Sequence, residues 1–344
     1  MSEIKLQNFN HLKIHSQYSI CEGAVKIDDI DKICKDNKIK SLGLSDTSNL
    51  CGALEFSEKV SKVGTQPILS TQIYIKYGDT FGLLPLFAMN EEGYKRIIYL
   101  SSKSFLENDN LSEPHINFDD LLENNEGVAI FSGSINGLFG KLFDKGKFSE
   151  ISNLYKLLKK NFKDRFYIEI QRHGDENEKG FEKFNLNQSL KEEIAIIATH
   201  EVFYIDKNMH EAHDALICIG NKTYVNEKNR IKFSNQHYLK NDNEMSELFS
   251  DLPEALENNY NFPLRCNFKP SSSKPILPDI SSKKDGSADE ILKKDSIEGL
   301  KSKFKEVFLK NENELDKDEK YLNYKDRLDH ELSIIIEMKY SSYF

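Results

Sequence analysis

Short apolar runs alternating with helical stretches set the strongest limit on what this chain can fold into. Residues 39–46, 66–75, 81–88, 127–132, 166–170 and 194–199 each read as a strand, because apolar residues dominate them and turn residues bound them. Between them, apolar residues fall at helical spacing, as at Ile27, Ile30, Ile33 and Cys34, and again over 53–60 and 92–106. This rhythm predicts parallel βα units. With the N-terminal stretch below, about seven strands suit a closed barrel better than an open sheet, and chemistry in such barrels sits at the C-terminal strand ends. Asp46, Gln72, Ser132–Gly133–Ser134 and His200–Glu201 lie at or just past those ends.

The opening strand, residues 11–19 (HLKIHSQYS), alternates polar and apolar residues. On a strand, His11, Lys13 and His15 then share one face at roughly 7 Å intervals. Two imidazoles aimed at one pocket look like half a metal site, and the lysine between them opposes it.

The formal net charge of −9 excludes a global basic field for nucleic acid, so any DNA contact needs a local patch. Lys95 with Arg96, or Lys156, Lys159, Lys160 and Lys163, offer one, although solvated helix faces are the simpler reading of both. No apolar run is long enough to span a bilayer, and residues 1–5 do not form a signal peptide. The five cysteines are scattered, with no Cys-x-x-Cys pair. That suits a reducing cytoplasm and argues against disulfides or a thiolate zinc site.

The pattern changes after residue 266. A Pro/Ser/Lys linker covers 267–286, and Ser287 with Glu290 forms a capping box. The helix it opens carries Ile297, Leu300, Phe304 and Val307 on one face. A last helix over 319–338 keeps Leu328, Leu332 and Ile335 in phase. After Gly220 the only glycines are Gly286 and Gly299, so the C-terminal third has no phosphate-cradling loop. Asp316–Lys317–Asp318 lies in a charged run and reads as a solvated helix start. The chain ends in an aromatic, apolar stretch, 340–344, which reads as a cut from something longer.

Several segments together resemble one family: residues 11–19, 43–52 (GLSDTSNLCG), 66–69 (QPIL), 90–94 (NEEGY), 168–172 (IEIQR) and 198–201 (ATHE). They resemble the PHP (polymerase and histidinol phosphatase) domain at the N-terminus of the bacterial DNA polymerase III alpha subunits. Residues 251–256 and 265–267 look like the end of that domain, and 324–344 looks like the entry to the polymerase palm. The resemblance implies a distorted (β/α)7 PHP barrel over 1–266, a linker over 267–286, and a truncated α-helical start of the palm over 287–344. It also implies that the magnesium-binding palm of the parent nucleotidyltransferase lies outside this segment.

In metal-binding members, this domain gathers up to three metals at the strand ends. At the matching positions this chain has Lys13, His15, Glu22, Thr47 after Asp46, Gln72, Leu83, Ser134, Glu201 and Phe203. His15, Glu22, Asp46 and Glu201 alone remain as possible ligands, and a first-row metal wants three or four that converge. His200 could compensate, but a polar-pocket histidine is the simpler reading. His11 reads as a hydrogen-bonding residue of the barrel mouth, and His210 with His213 as helix-packing residues. The expectation is a vestigial pocket with no metal and no catalytic residue, in which Lys13 neutralises Glu22, Asp46 and Glu201.

The resemblance then implies a structural domain that docks the proofreading exonuclease (epsilon) subunit, within a holoenzyme that meets DNA through other regions. The alternative is an active metal-dependent phosphoesterase or 3′–5′ exonuclease. A stand-alone DNA-binding module is a third reading, opposed by the acidic charge.

Overall fold

The computed structural model describes residues 8–108, 113–273, 286–308, 315 and 318–344. Contacts divide the chain into two compact units, Met1–Ser271 and Ser272–Phe344.

The first unit is an α/β barrel. Its strands are β1 (Lys13–Ile14), β2 (Ser41–Thr47), β3 (Gln66–Tyr77), β4 (Thr80–Ala88), β5 (His115–Asn117), β6 (Val128–Phe131), β7 (Phe166–Ile170), β8 (Ile196–Ala198) and β9 (Glu201–Val202). The order around the sheet is β8-β7-β6-β4-β3-β2-β1-β9, with β5 added beside β3. The path begins at β8 and ends at β9, which only Thr199 and His200 separate along the chain. The sheet therefore curls round until its two ends meet.

Most neighbours are parallel, as the strand–helix rhythm predicts. β4 is the exception: it runs antiparallel to both β3 and β6. The reason is local. Tyr77–Gly78–Asp79–Thr80 makes a tight reversal with Gly78 at φ +55°, so β3 and β4 form a hairpin rather than a βα unit. The opening strand is also shorter than its alternation predicts, with only Lys13 and Ile14 in ladder contact.

Side chains on the two faces of the strands have separate fates. The outer face (Ile14, Leu42, Leu44, Leu69, Ile73, Leu84, Leu86, Val128, Ile130, Ile168) packs under the surrounding helices. Inside, Leu12, Ile68, Phe87, Ala129, Phe131, Tyr167 and Ile197 form an apolar plug with Phe262 and Cys266. Phe131 and Phe262 meet edge to face with centroids 4.9 Å apart. Gly43 is required beside this plug, since a Cβ there would stand 2.1 Å from the Leu12 carbonyl oxygen.

A single side chain extends the closure that the β1–β9 ladder makes. Asn259, on the helix Pro253–Asn261, is fully buried. Its Oδ1 accepts from Asn10 N–H (2.8 Å), and its Nδ2 donates to the carbonyls of Asn10 (2.9 Å) and Ala198 (3.0 Å). The amide stands in for ladder bonds between the lead-in to β1 and the end of β8.

The second unit contains helices Ala288–Phe308 and Glu319–Glu337. Ser287 caps the first reciprocally: its N–H donates to Glu290 Oε2 (2.9 Å), and Glu290 N–H donates back to Ser287 Oγ (3.4 Å). Phe304, Leu315 and Tyr321 make its small core, with Leu300 against it. Val307 is exposed rather than on the buried face. Most of the expected linker (274–285), and Asp316 with Lys317, lie outside the described residues.

Candidate functional site

Above the apolar plug, the barrel interior turns polar. Lys13, on β1, is completely buried, and its Nζ lies 3.1 Å from both Glu169 Oε1 and Glu201 Oε2. Glu169 comes from β7 and Glu201 from β9, so the ammonium ties together strands from opposite parts of the sheet path. Gln171 Nε2 donates to Glu169 (2.7 Å), and Thr199 Oγ1 donates to the same carboxylate.

His15 continues the network. Its Nε2 lies 2.7 Å from Glu201 Oε1, and its Nδ1 lies 3.2 Å from Ser19 Oγ. The Ser19 hydroxyl already donates to Asp46 (2.7 Å), so it accepts from His15. Both ring nitrogens therefore carry hydrogens, and His15 is an imidazolium. Two cations and two carboxylates then cancel. Gln72 bonds Glu201 through its amide nitrogen, which also lies 3.0 Å from His15 Nε2.

Electrostatics follow from this pairing. Burial pulls down the pKa of Lys13, but Glu169 and Glu201 outweigh it and hold the ammonium above the usual lysine value. Burial likewise opposes His15 protonation, and Glu201 reverses the balance upward. For Glu201 burial pushes the pKa up, while Lys13 and His15 carry it well below the usual carboxylate range.

The structure separates other residues singled out in the sequence. Asp46 does not face Lys13; it accepts from Ser16 N–H, Ser16 Oγ and Ser19 Oγ, each at 2.7 Å, and so holds the turn after β1. Glu22 accepts from Thr47 Oγ1 (2.5 Å) and lies 3.9 Å from His15 Nδ1. The expectation that Glu22 and Asp46 share Lys13 with Glu201 is therefore corrected: Glu169 is the second partner. His11 leaves the row as well, because its Nε2 meets the Lys240 carbonyl (2.8 Å) while Leu12 enters the plug. His200 Nε2 meets the Tyr238 carbonyl (3.0 Å). His213 Nε2 meets the Glu22 carbonyl (2.8 Å) and His210 Nε2 the Phe233 carbonyl (3.2 Å), so these two do not converge.

Leu83, Ser134 and Phe203 border a cavity of about 560 Å³ together with Glu22, Gln72 and Glu201. The Phe203 ring lies 4.6 Å from that of His15 and covers it. Glu169, Gln171 and Thr199 escaped the sequence reading. Glu169 and Gln171 alternate along β7 and its extension, and that period-2 placement of polar residues in a buried strand was the available signal.

As a cradle for the family's metal cluster the arrangement fits poorly. An ammonium sits between the two innermost carboxylates, and the Phe203 ring lies against His15. Lys95 and Arg96 pair with Glu91 and Glu92 (2.9 and 3.3 Å), which leaves little net positive charge on that helix face.

The PHP domain family matches residues 11–173. The DNA polymerase III subunit alpha of Caulobacter vibrioides is 35% identical over 352 residues, covering 100% of this chain and 30% of the relative. Those of Rickettsia felis (35%; 98% of this chain, 28% of the relative) and Borreliella burgdorferi (34%; 98% and 29%) are similar to the same extent. The chain thus spans less than a third of the length of these relatives. Among solved structures, an amidohydrolase from Chromobacterium violaceum overlies 56% of this chain and 87% of its own at a TM-score of 0.38 and 10% identity, too distant to carry an argument. No described helix is long and apolar enough to cross a membrane.

Proposed function

We propose, from the premise that this chain belongs to the DNA polymerase III alpha-subunit family and carries its PHP domain, that its barrel is a structural and docking module of a replicative DNA polymerase. In this reading the pocket around Lys13 holds no catalytic metal. One observation carries it: Lys13 Nζ, 3.1 Å from both Glu169 and Glu201, supplies the positive charge that a cation would otherwise bring to those carboxylates.

A divalent cluster needs converging neutral imidazoles and free carboxylates. Here His15 is an imidazolium, Glu201 is already doubly paired, and Gln72 contributes no charge. The 344-residue segment (PHP barrel 1–266, linker 267–286, start of the palm 287–344) does not itself polymerise DNA. The magnesium-dependent nucleotidyl transfer belongs to regions beyond it. Its partners are the rest of the alpha chain and the holoenzyme, with the proofreading exonuclease (epsilon) subunit docked on the barrel, in the cytoplasm.

Two measurements test this. The purified chain, supplied with Mn²⁺ or Zn²⁺, is expected to leave both a small phosphomonoester and the 3′ end of single-stranded DNA intact. Chelator-sensitive hydrolysis of either substrate defeats the reading in favour of a phosphoesterase. The exonuclease subunit of the same organism is expected to co-elute with the chain in size-exclusion chromatography, and separate elution removes the docking role.

A further inference from the structure

Beside the Lys13 network lies a second cluster with different chemistry. His173, Asp175 and His237 each offer one donor atom, and these atoms lie within 4.8 Å of one another. The trio shares no residue with the network, and none of the three occupies a position where the family's metal cluster is expected. Both imidazoles are buried, and their rings stack with centroids 4.1 Å apart and planes within 5°.

The tautomers can be read from their neighbours. His237 Nδ1 lies 3.2 Å from the Glu201 carbonyl oxygen, so this nitrogen carries the hydrogen and donates. In the neutral ring Nε2 then holds a bare lone pair. It is buried with no hydrogen-bond partner, and Asp175 Oδ2 is 3.8 Å away. A lone pair facing a carboxylate is a juxtaposition that only a proton or a cation relieves. His173 Nε2 accepts from Glu201 N–H at 3.2 Å, so this nitrogen too is unprotonated, and its lone pair reaches an ion only when that bond is given up on loading. Its Nδ1–H faces Glu178 Oε1 at 3.5 Å.

Each imidazole therefore has its outer nitrogen turned to an oxygen, a backbone carbonyl for His237 and a carboxylate for His173. That outer partner is what orients a metal-binding histidine and selects its tautomer. Asp175 and His237 also border the cavity of about 560 Å³, which gives an ion a path in and leaves room for water ligands.

We propose that His173, Asp175 and His237 bind one borderline first-row divalent cation, of the Zn²⁺ class, with water completing the coordination. Two imidazole nitrogens and one carboxylate oxygen match the donor preference of Zn²⁺ and its neighbours, and disfavour Mg²⁺ and Ca²⁺, which prefer oxygen alone. Donors on a tetrahedral Zn²⁺ stand about 3.4 Å apart, so the trio contracts on loading. The parallel rings must also splay, since their in-plane lone pairs do not meet while stacked. Loading thus replaces the His173–His237 stack by coordination.

The test is isothermal titration of the chelator-treated, dialysed chain with ZnCl₂, supported by the visible spectrum of the Co²⁺-loaded protein. One ion per chain is expected. Asp175→Asn and His237→Gln should each weaken binding by about 100-fold, at least the effect of losing an outer partner. Glu22→Gln, in the neighbouring network, should leave it unchanged. Asp175 is only partly buried, so its variant keeps the test valid if His237→Gln does not fold. Absence of stoichiometric binding, persistence of binding in Asp175→Asn, or its loss in Glu22→Gln would each overturn the assignment. None of these readouts depends on phosphoester hydrolysis or on exonuclease docking.

Discussion

The two storeys of the barrel interior are held together by opposite means. The lower one, around Leu12, Phe87, Phe131 and Phe262, is apolar and gains from area removed from water. The upper one, around Lys13, Glu169, Glu201 and His15, is nearly as dry, yet it is made of charges whose desolvation is offset only while every partner stays in place. A hydrophobic layer loses stability in proportion to what is removed. A balanced ionic layer fails as a unit, because any deletion strands a buried charge.

The largest expected effect tests that difference. Lys13→Ala leaves Glu169 and Glu201 facing each other without their shared ammonium, and should cost about 3–5 kcal/mol in denaturant unfolding. A loss no greater than that of an exposed lysine would show that the upper layer is not cooperative. Acid should come next. His11 is pushed down to about 4 by burial. Burial lowers His173 and His200 well below 6.5, and Lys13 holds Glu201 low against its burial.

These folded-state values lie below the unfolded ones. The stability they contribute is therefore complete above the unfolded pKa, near 6.5 for the histidines, and is lost as pH falls toward 4. His11 alone accounts for about 3 kcal/mol over that window. His15 opposes the trend, since its raised pKa adds stability below about 6.5 that fades as pH rises. His213 is likewise lowered to about 4 by burial, so with four histidines against one, unfolding at pH 5 should need less denaturant than at pH 8; equal midpoints would contradict the neutral burial of the four.

Size-matched substitutions sharpen the contrast further. Leu12→Met in the lower layer should cost less than about 1.5 kcal/mol, because the plug can repack. Glu201→Gln, equally conservative in volume, removes a charge that balances both Lys13 and His15, and should cost more; similar costs would erase the distinction. The smallest effect belongs to the second unit, where Ser287→Ala removes the cap of helix Ala288–Phe308. About 1 kcal/mol of helix stability should go, seen as faster amide exchange in its first turn.

Legibility in the sequence followed the same division. The outer face of the barrel is written in apolar strands and helical spacings, and those elements appear within a few residues of where they were expected. The β3–β4 hairpin was missed because Gly78–Asp79 is a weak turn signal between two long strands, and β5 because three residues carry no measurable period. In the site, the lysine was legible as an intruder between histidines, but its partners were not. Glu169 lies 156 positions away from Lys13, and no local pattern says which of many carboxylates a fold will bring to one ammonium. Glu22 and Asp46 stand at ligand positions of the resembling family, which is why they are expected beside Lys13, whereas Glu169 stands at none. His173 and His237 also lie outside those positions and are brought together only when β7 and the segment after β9 meet.

The Asn259 seam has a consequence for how this barrel comes into being. Its amide joins residue 10 to residue 259, a separation of 249 positions. Strands near the N-terminus can form and pair early, and β9 can close the ring at β1, but the amide bridge forms only once helix Pro253–Asn261 has left the ribosome. At ordinary elongation rates that is a delay of roughly 10–50 s. Until β7 and β9 emerge, within that interval, the nascent chain holds an open edge at β1 and an ammonium at Lys13 without Glu169 and Glu201. Closure is thus a late, long-range event, and factors that shield exposed strand edges would act on this chain during that interval.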